Sequence, residues 1–127
     1  MKKQVIRSPL APDPIGPYSQ AIAIEGKRLV FLSGQIALGP EGELVGDDAA
    51  TQAQVVMENI RAVLSSAGMD FDHVVKSTIF LVDLDDYAAV NQVYGRYFAE
   101  RPPARSAVEV GRLPRGARVE IEVVAVS

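Results

Sequence analysis

The chain has 127 residues, the size of one domain, and its 48% apolar and 23% charged fractions are those of an ordinary globular protein. Its net charge of −3 argues against a general nucleic-acid binder, because neutralising phosphates requires a clear cationic excess. The absence of cysteine excludes disulfides, thiolate metal sites and thiol catalysis. We therefore expect a single domain over residues 1–127 in a reducing compartment.

No targeting or membrane segment is expected. The N-terminal Met1-Lys2-Lys3 is basic, but no apolar run of signal-peptide length follows it. No stretch of the chain approaches membrane-spanning length. These features predict a cytoplasmic protein.

The first third of the chain predicts an extended lead-in and a hairpin. The prolines between positions 9 and 14 disfavour a helix there. The apolar runs at 22–24 and 29–32 flank Glu25-Gly26-Lys27, which is typical of a β-hairpin. A turn is expected at 39–42, where the sequence reads Gly-Pro-Glu-Gly.

The middle of the chain predicts two helices separated by a strand. The first helix should run from about Asp48 to Ala67, with Asp47 or Asp48 as its cap and Gly68 as its stop. Its buried stripe comprises Ala53, Met57, Ile60 and Leu64. The second helix follows Asp85-Asp86. Its apolar side comprises Val90, Val93, Tyr94 and Tyr97.

The remaining apolar segments predict strands. The segment 74–82 has apolar residues at both odd and even positions, as in strands that are buried on both faces. Arg105 opens a further strand behind Pro102-Pro103, and the last strand alternates apolar residues with Arg118, Glu120 and Glu122. The elements predict an α+β fold in which two helices cover one face of a single sheet, so another subunit is the expected cover for the second face.

Arg105 and Glu120 are the candidate catalytic residues, because each lies on a predicted strand rather than on a loop. A guanidinium binds a carboxylate through two parallel hydrogen bonds, and a glutamate can position a water. The alternative is that both charges face solvent, as strand-end charges usually do. Periodicity does not choose between Glu120 and Glu122, since both point to the same face.

Three further features are candidate ligand contacts, each with a purely structural alternative. Tyr18 follows the rigid corner Gly16-Pro17. The Tyr18 hydroxyl either contacts a ligand or forms a hydrogen bond with the backbone. Ser33-Gly34 either lets backbone amides approach a ligand or forms an ordinary turn. Asn91 either orients Arg105 or lies on an exposed helix face.

Other catalytic constellations lack the necessary residues. His73 is the only histidine, so neither a histidine metal cluster nor a Ser-His-Asp triad is available, and a solvated histidine is expected. The glycines do not match a dinucleotide-binding or phosphate-loop pattern. Asp83, Asp85 and Asp86 precede a helix, where acidic residues interact favourably with the helix dipole.

Several short motifs in a fixed order resemble the reactive intermediate deaminase family (Rid, also called YjgF-like). In chain order they are IGPYSQA at 15–21, LSGQI at 32–36, VNQVY at 90–94, PARS at 103–106, LPRG at 113–116 and EIE at 120–122. The resemblance extends from about Pro12 to the C-terminus. It implies a chorismate-mutase-like, ferredoxin-related fold that forms a homotrimer with sites in the clefts between subunits.

The resemblance also implies an activity, the hydrolytic deamination of small 2-imino acids (2-iminobutanoate, 2-iminopropanoate and their enamine tautomers) to 2-keto acids and ammonia. It implies that Arg105 binds the carboxylate and that Glu120 orients or activates water. The substrate-binding residues that it implies are Tyr18, Ser33, Gly34, Asn91 and Ala107. No cofactor or metal is implied. Ala107 departs from the cysteine that many members carry, and a backbone contact there would tolerate alanine.

Two other functions stay open at the level of sequence. A noncatalytic carboxylate-binding or chaperone-like trimer would use the same arginine clamp without turnover. A ribonuclease or RNA-binding role, attributed to some members of this family, would use the arginines of the C-terminal third, against the acidic net charge. The sequence does not specify the side chain of the preferred substrate.

Overall fold

A computed structural model describes residues 1–98 and 100–127. The strands are β1 (Lys2–Ile6), β2 (Ala21–Glu25), β3 (Leu29–Gln35), β4 (Val74–Leu81), β5 (Ala104–Glu109) and β6 (Val119–Val126), and the helices are α1 (Ala49–Ser66) and α2 (Tyr87–Gly95). Strands β3, β6, β4 and β5, in that order, form a mixed sheet. Strand β4 is parallel to β5 and antiparallel to β6, which is also antiparallel to β3.

Helix α1 begins and ends where the sequence signals predict. The Asp48 side chain accepts a hydrogen bond from the Thr51 backbone N–H at 2.7 Å, which caps the N-terminus. Gly68 follows the helix with a φ of 73°, a conformation that favours glycine. The predicted stripe is fully buried. Within the described residues, no helix combines the length and the hydrophobicity needed to cross a membrane.

Both helices cover the same face of the four-stranded sheet. The side chains of β4 and β6 that point to this face form the centre of the core: Ile79, Leu81, Val119, Ile121, Val123 and Ala125. The buried residues of α2 that meet them are Val90, Val93 and Tyr94. The predicted α+β architecture, with two helices on one face of the sheet, is confirmed.

The opposite face of this sheet carries exposed apolar side chains. Phe31 is 70% exposed, Leu29 is 55% exposed and Val108 is 44% exposed. From Ser77 to Leu81, strand β4 alternates between buried and partly exposed residues in the single chain. An uncovered apolar sheet face is typical of a surface that meets another protein, and its cover by another subunit stays a prediction.

The predicted hairpin between segments 22–24 and 29–32 is wrong. Strand β2 pairs instead with β1, and β3 pairs with β6. The backbone N–H groups of Lys27 and Arg28 donate to the Ser127 carbonyl at 2.9 and 3.0 Å, so the C-terminal strand binds the start of β3. Gly26 passes so close to this strand that a Cβ atom would lie 2.5 Å from Val126 Cγ1.

The prediction of a single sheet is also corrected, because β1 and β2 form a separate two-stranded sheet. Lys3 connects this sheet to the main one. Its Nζ donates to the carbonyls of Val74 and Arg101 at 3.1 Å each and to that of Asp72 at 3.3 Å. Burial lowers the pKa of Lys3, and the positive charge of Arg101 lowers it further. The period-two patterns did not predict this long-range contact.

Candidate active site

Strand β5 holds Arg105 in a fixed position near the edge of the sheet. The preceding Pro102 and Pro103 offer their carbonyls to Ser19, which donates from its hydroxyl at 2.5 Å and from its backbone N–H at 3.1 Å. Ser19 also forms an isolated parallel β-bridge with Ala104. These bonds bring the segment around Gly16 and Tyr18 beside the arginine.

The Arg105 guanidinium is half-buried among uncharged groups. Its Nη1 donates to Asn91 Oδ1 at 2.7 Å, and its Nη2 donates to the Tyr87 hydroxyl at 3.0 Å. The guanidinium carbon lies 5.3, 5.6 and 5.1 Å from the ring centroids of Tyr18, Tyr87 and Tyr94, respectively. Within residues 1–98 and 100–127, no carboxylate forms an ion pair with it. The group is therefore a partly desolvated cation without a counterion among these residues.

Helix α2 supplies one wall of this pocket. Tyr87, Asn91 and Tyr94 are spaced at i, i+4 and i+7, so they share one face of the helix. The Tyr94 hydroxyl donates to Ser77 Oγ on β4 at 2.8 Å. Burial raises the pKa of Tyr94 to about 12, against the opposing effects of the Ser77 hydrogen bond and the Arg105 charge. Tyr94 therefore remains neutral at physiological pH.

The segment at Gly16 supplies the other wall. A Cβ atom at Gly16 would lie 3.1 Å from Arg105 Nη2 and 3.3 Å from the Tyr87 hydroxyl, so a larger residue would crowd the guanidinium. The Tyr18 ring lies against Arg105, whereas its hydroxyl accepts a hydrogen bond from the Ile15 backbone N–H at 3.1 Å. We call Gly16, Tyr18, Tyr87, Asn91, Tyr94 and Arg105 the arginine pocket.

Glu120 lies at a different place on the sheet. It is half-buried near the start of β6 and packs against Gly34, where a Cβ atom would lie 2.8 Å from Glu120 Cδ. The register of β3 with β6 shifts between Leu32 and Gln35, so the exposed Ser33 and Gly34 occupy the irregular part of β3. We call Ser33, Gly34 and Glu120 the glutamate edge.

The arginine pocket and the glutamate edge lie on opposite faces of the same sheet. Arg105 is in register with Ser77, whose side chain points to the helices, whereas Glu120 is in register with Phe80. Ser77 and Phe80 are three positions apart on β4, so they point to opposite faces and are separated by roughly 10 Å along the strand. One chain therefore does not bring the two predicted catalytic residues together.

The structure gives geometry for the other predicted positions. Asn91 contacts Arg105, as one of its two interpretations required. Ala107 is half-buried and points to the same face as Arg105, in register with Ile79. His73 is partly buried, and its Nδ1 accepts from the Asp70 backbone N–H at 3.1 Å, which caps a short 3-10 turn. The described residues contain no cluster of potential metal ligands.

Tyr87, Tyr94 and Gly16 belong to the arginine pocket, but the sequence did not predict them as site residues; Tyr94 was expected only on the apolar side of the helix. Tyr87 precedes Asn91 by one helical turn, and this spacing was the available signal. Gly16 was recognised only as part of the corner before Tyr18. Their convergence depends on how helix α2 and the segment at Gly16 pack against β5, which no local pattern specifies.

Four arginines of the C-terminal third each contact a different part of the chain. Arg105 is enclosed by tyrosines, and Arg101 donates to the Lys3 carbonyl at 3.1 Å. Arg118 lies 3.7 Å from the Asp86 carboxylate. Arg115 donates to the Gly42 carbonyl at 3.3 Å, with a left-handed φ of 61°. These contacts with other groups of the chain argue against a phosphate-binding groove built from these four side chains.

Known proteins resemble this chain over its full length. The sequence profile described as Endoribonuclease L-PSP matches residues 8–127. Protein DfrA of Myxococcus xanthus is 55% identical, with 100% of this chain and 98% of that protein covered. The human protein named 2-iminobutanoate/2-iminopropanoate deaminase is 43% identical, with 98% of this chain and 90% of that protein covered.

A solved structure agrees with the fold. The crystal structure of YyfB from Yersinia pestis, described as a protein of unknown function of the conserved Rid family, matches with a TM-score of 0.92 and 30% identity. The match covers 100% of both chains. Agreement of sequence and architecture over whole chains confirms the resemblance that the motifs indicated. The chain belongs to the family described as Endoribonuclease L-PSP, which is the Rid family.

Proposed function

We propose that this protein hydrolyses small 2-imino acids to 2-keto acids and ammonia, with 2-iminobutanoate and 2-iminopropanoate as substrates. The observation that carries the proposal is the half-buried Arg105 guanidinium, whose hydrogen-bond partners are both uncharged. The name of the human relative, a 2-iminobutanoate/2-iminopropanoate deaminase, supports the same chemistry. The reaction would take place in the cytoplasm.

Arg105 anchors the substrate carboxylate. A partly desolvated cation is stabilised by an anion, and a guanidinium binds a carboxylate through two parallel, charge-assisted hydrogen bonds. Among the described residues, Asn91 and Tyr87 accept two of the five N–H hydrogens of the group, which leaves the others for a substrate. The surrounding tyrosine rings keep the guanidinium in one orientation.

Glu120 orients the attacking water. The water oxygen bonds to the electrophilic imine carbon while a proton moves to the imine nitrogen, which gives a tetrahedral carbinolamine. The carbon–nitrogen bond then breaks, ammonia leaves, and the remaining hydroxyl becomes the keto carbonyl. A carboxylate that accepts and returns one proton is sufficient for these steps, so the chemistry requires no cofactor or metal.

A complete site requires two subunits. Because Arg105 and Glu120 lie on opposite faces of one sheet, the Arg105 of one chain acts with the Glu120 of a neighbouring chain. A homotrimer with its sites in the clefts between subunits meets this condition, and the exposed Phe31, on the sheet face that carries Glu120, supports such a contact. Ser33, Gly34 and Ala107 would complete the walls of the cleft, and Tyr18 would line it.

A coupled assay tests the proposal. A threonine dehydratase generates 2-iminobutanoate, semicarbazide traps the remaining imine, and added protein should reduce the semicarbazone signal. Arg105→Ala should lower kcat/KM by at least about a hundredfold, because two charge-assisted hydrogen bonds are lost. Glu120→Gln should weaken turnover while leaving carboxylate binding intact.

The assay separates the proposal from its alternatives. Full activity in a folded, assembled Arg105→Ala variant would refute the assigned site. If the wild-type protein binds 2-oxobutanoate but does not reduce the semicarbazone signal, the noncatalytic carboxylate-binding function replaces the enzyme. Cleavage of RNA that survives Arg105→Ala would indicate a separate ribonuclease activity.

A further inference from the structure

We propose that the Tyr87 hydroxyl is a second donor to the substrate carboxylate, beside Arg105. The inference rests on the function proposed above and adds a specific contact to it. Tyr87 is the first residue of α2, and its side chain reaches the guanidinium from the helix side of the sheet.

The hydrogen bonds of the Tyr87 hydroxyl support this proposal. Its oxygen accepts from Arg105 Nη2 at 3.0 Å. A phenol has one hydrogen to donate, and within the described part of the chain the Tyr87 hydroxyl donates to no acceptor. Accepting from a cation polarises the O–H bond and makes it a stronger donor. Its hydrogen is thus available beside the group that binds the anion.

The two groups suit the two oxygens of one carboxylate. Arg105 Nη2 and the Tyr87 oxygen are 3.0 Å apart, so one carboxylate oxygen can accept from the Tyr87 hydroxyl while the other accepts from a guanidinium N–H that does not point at Tyr87. The carboxylate would then receive a hydrogen bond from Tyr87 in addition to that of the guanidinium.

Gly16 keeps these donors accessible. Its missing side chain would project toward Arg105 Nη2, the Tyr87 hydroxyl and Asn91 Nδ2, at 3.1, 3.3 and 3.4 Å. Three potential donors therefore converge on the side of Gly16 where other residues carry a Cβ atom. A side chain at position 16 would therefore crowd all three donors, and glycine avoids this.

Tyr87→Phe tests this contact, since it removes only the hydroxyl. We expect the Kd for 2-oxobutanoate, measured by calorimetry, to rise about tenfold, as for the loss of one hydrogen bond to a charged group. The Kd for the uncharged 2-oxobutanamide should change much less. In the imine assay KM should rise while kcat stays within about twofold, because the carboxylate contact is equally strong in the ground and transition states.

Tyr97→Phe is the matched control. Tyr97 follows the same helix, but its ring packs at a tilt against Phe71, with the ring centroids 5.1 Å apart. This variant should therefore retain the wild-type Kd and KM. Unfolding midpoints of both variants show whether the fold is intact. Wild-type affinity of Tyr87→Phe for 2-oxobutanoate, or a fall in kcat at constant KM, overturns the inference alone. Absence of both binding and turnover in the wild-type protein overturns the proposed function as well.

Discussion

Arg105 carries a positive charge that only uncharged groups surround within the described chain. Cation–π contacts contribute about 0.5–2 kcal/mol each, depending on how far the cation is desolvated. The tyrosines therefore offset part of the cost of removing the guanidinium from water, and the hydrogen bonds to Asn91 and Tyr87 fix its orientation. The charge itself remains available to an anionic ligand. A carboxylate among its permanent neighbours would remove that availability.

The uncharged surroundings of Arg105 predict the effect of Asn91→Asp. The substitution would place a carboxylate oxygen where the amide oxygen now accepts from Arg105 Nη1 at 2.7 Å. The resulting internal ion pair would neutralise the guanidinium and repel a substrate carboxylate. We expect 2-oxobutanoate to bind at least about tenfold more weakly at neutral pH, as measured by calorimetry.

Gln92→Glu is the control for Asn91→Asp, because it makes the same change from amide to carboxylate on the exposed side of α2. It should leave the Kd close to that of the wild type. Equal binding by Asn91→Asp and the wild type would show that ligands do not depend on the charge of Arg105.

At the scale of elements, the hydrogen bond between Tyr94 and Ser77 joins α2 to β4 in the core. Because burial raises the pKa of Tyr94 from 10.0 to about 12, the folded state holds the phenolic proton more tightly than the unfolded state does. The protonated Tyr94 phenol stabilises the folded state fully below about pH 10, and this stabilisation is lost as the pH rises through the pKa of about 12 in the folded state. A shift of this size corresponds to roughly 3 kcal/mol.

Tyr94→Phe should therefore change the alkaline limb of the stability profile. At pH 8 the variant should be less stable by about 1–3 kcal/mol, because Ser77 Oγ is left buried without its partner. Between pH 10 and about 12 the difference in free energy of unfolding should shrink, since the variant has no phenol to ionise at this position. Urea denaturation at a series of pH values measures both effects. A difference that stays constant across this range contradicts the assignment.

Elements with local signals were predictable from the sequence, and elements with distant partners were not. Helix α1 carries its own cap at Asp48 and its own stop at Gly68, so its bounds could be read within one or two residues. The turn at Glu25-Gly26-Lys27 was equally visible, but turn chemistry does not determine which strand pairs with which. The distant contacts of Lys3 and Ser127 decide that pairing.

The candidate site shows the same division. Arg105 and Asn91 could be selected from motifs, and they meet in the structure. The separation of Arg105 from Glu120 could not be predicted, because it depends on the strand order β6-β4-β5 and on the register with β4. A period-two pattern shows which residues of one strand share a face, but it does not relate the faces of different strands.

At the scale of the whole molecule, Arg105 and Glu120 lie on opposite faces of the sheet. Under the proposed mechanism, a subunit that lacks one of these residues should therefore be complemented by a subunit that lacks the other. Arg105→Ala and Glu120→Gln chains, unfolded together and refolded at equal concentration, should recover about a quarter of wild-type activity in a cyclic homo-oligomer. In a random mixture, half of the sites receive a normal Arg105, and half of those receive a normal Glu120. The imine assay measures this recovery against each variant alone.

The control for complementation combines Arg105→Ala chains with chains that carry both substitutions. No chain in that mixture supplies Arg105, so activity should stay at the level of Arg105→Ala alone. Mixing of subunits is verified by mass spectrometry of the intact assembly. If verified mixed assemblies of the single variants show no recovery, Arg105 and Glu120 of the same chain must act together.

The sheet that separates the arginine pocket from the glutamate edge also has a kinetic consequence. Under the proposed mechanism a lone chain carries both reactive groups and cannot use them on one substrate molecule. Specific activity should then fall on dilution once assemblies dissociate, and it should follow the law of mass action for association rather than the total amount of protein. Specific activity would thus report the fraction of chains that are assembled. A cell with too few copies of the chain would contain folded protein without catalysis.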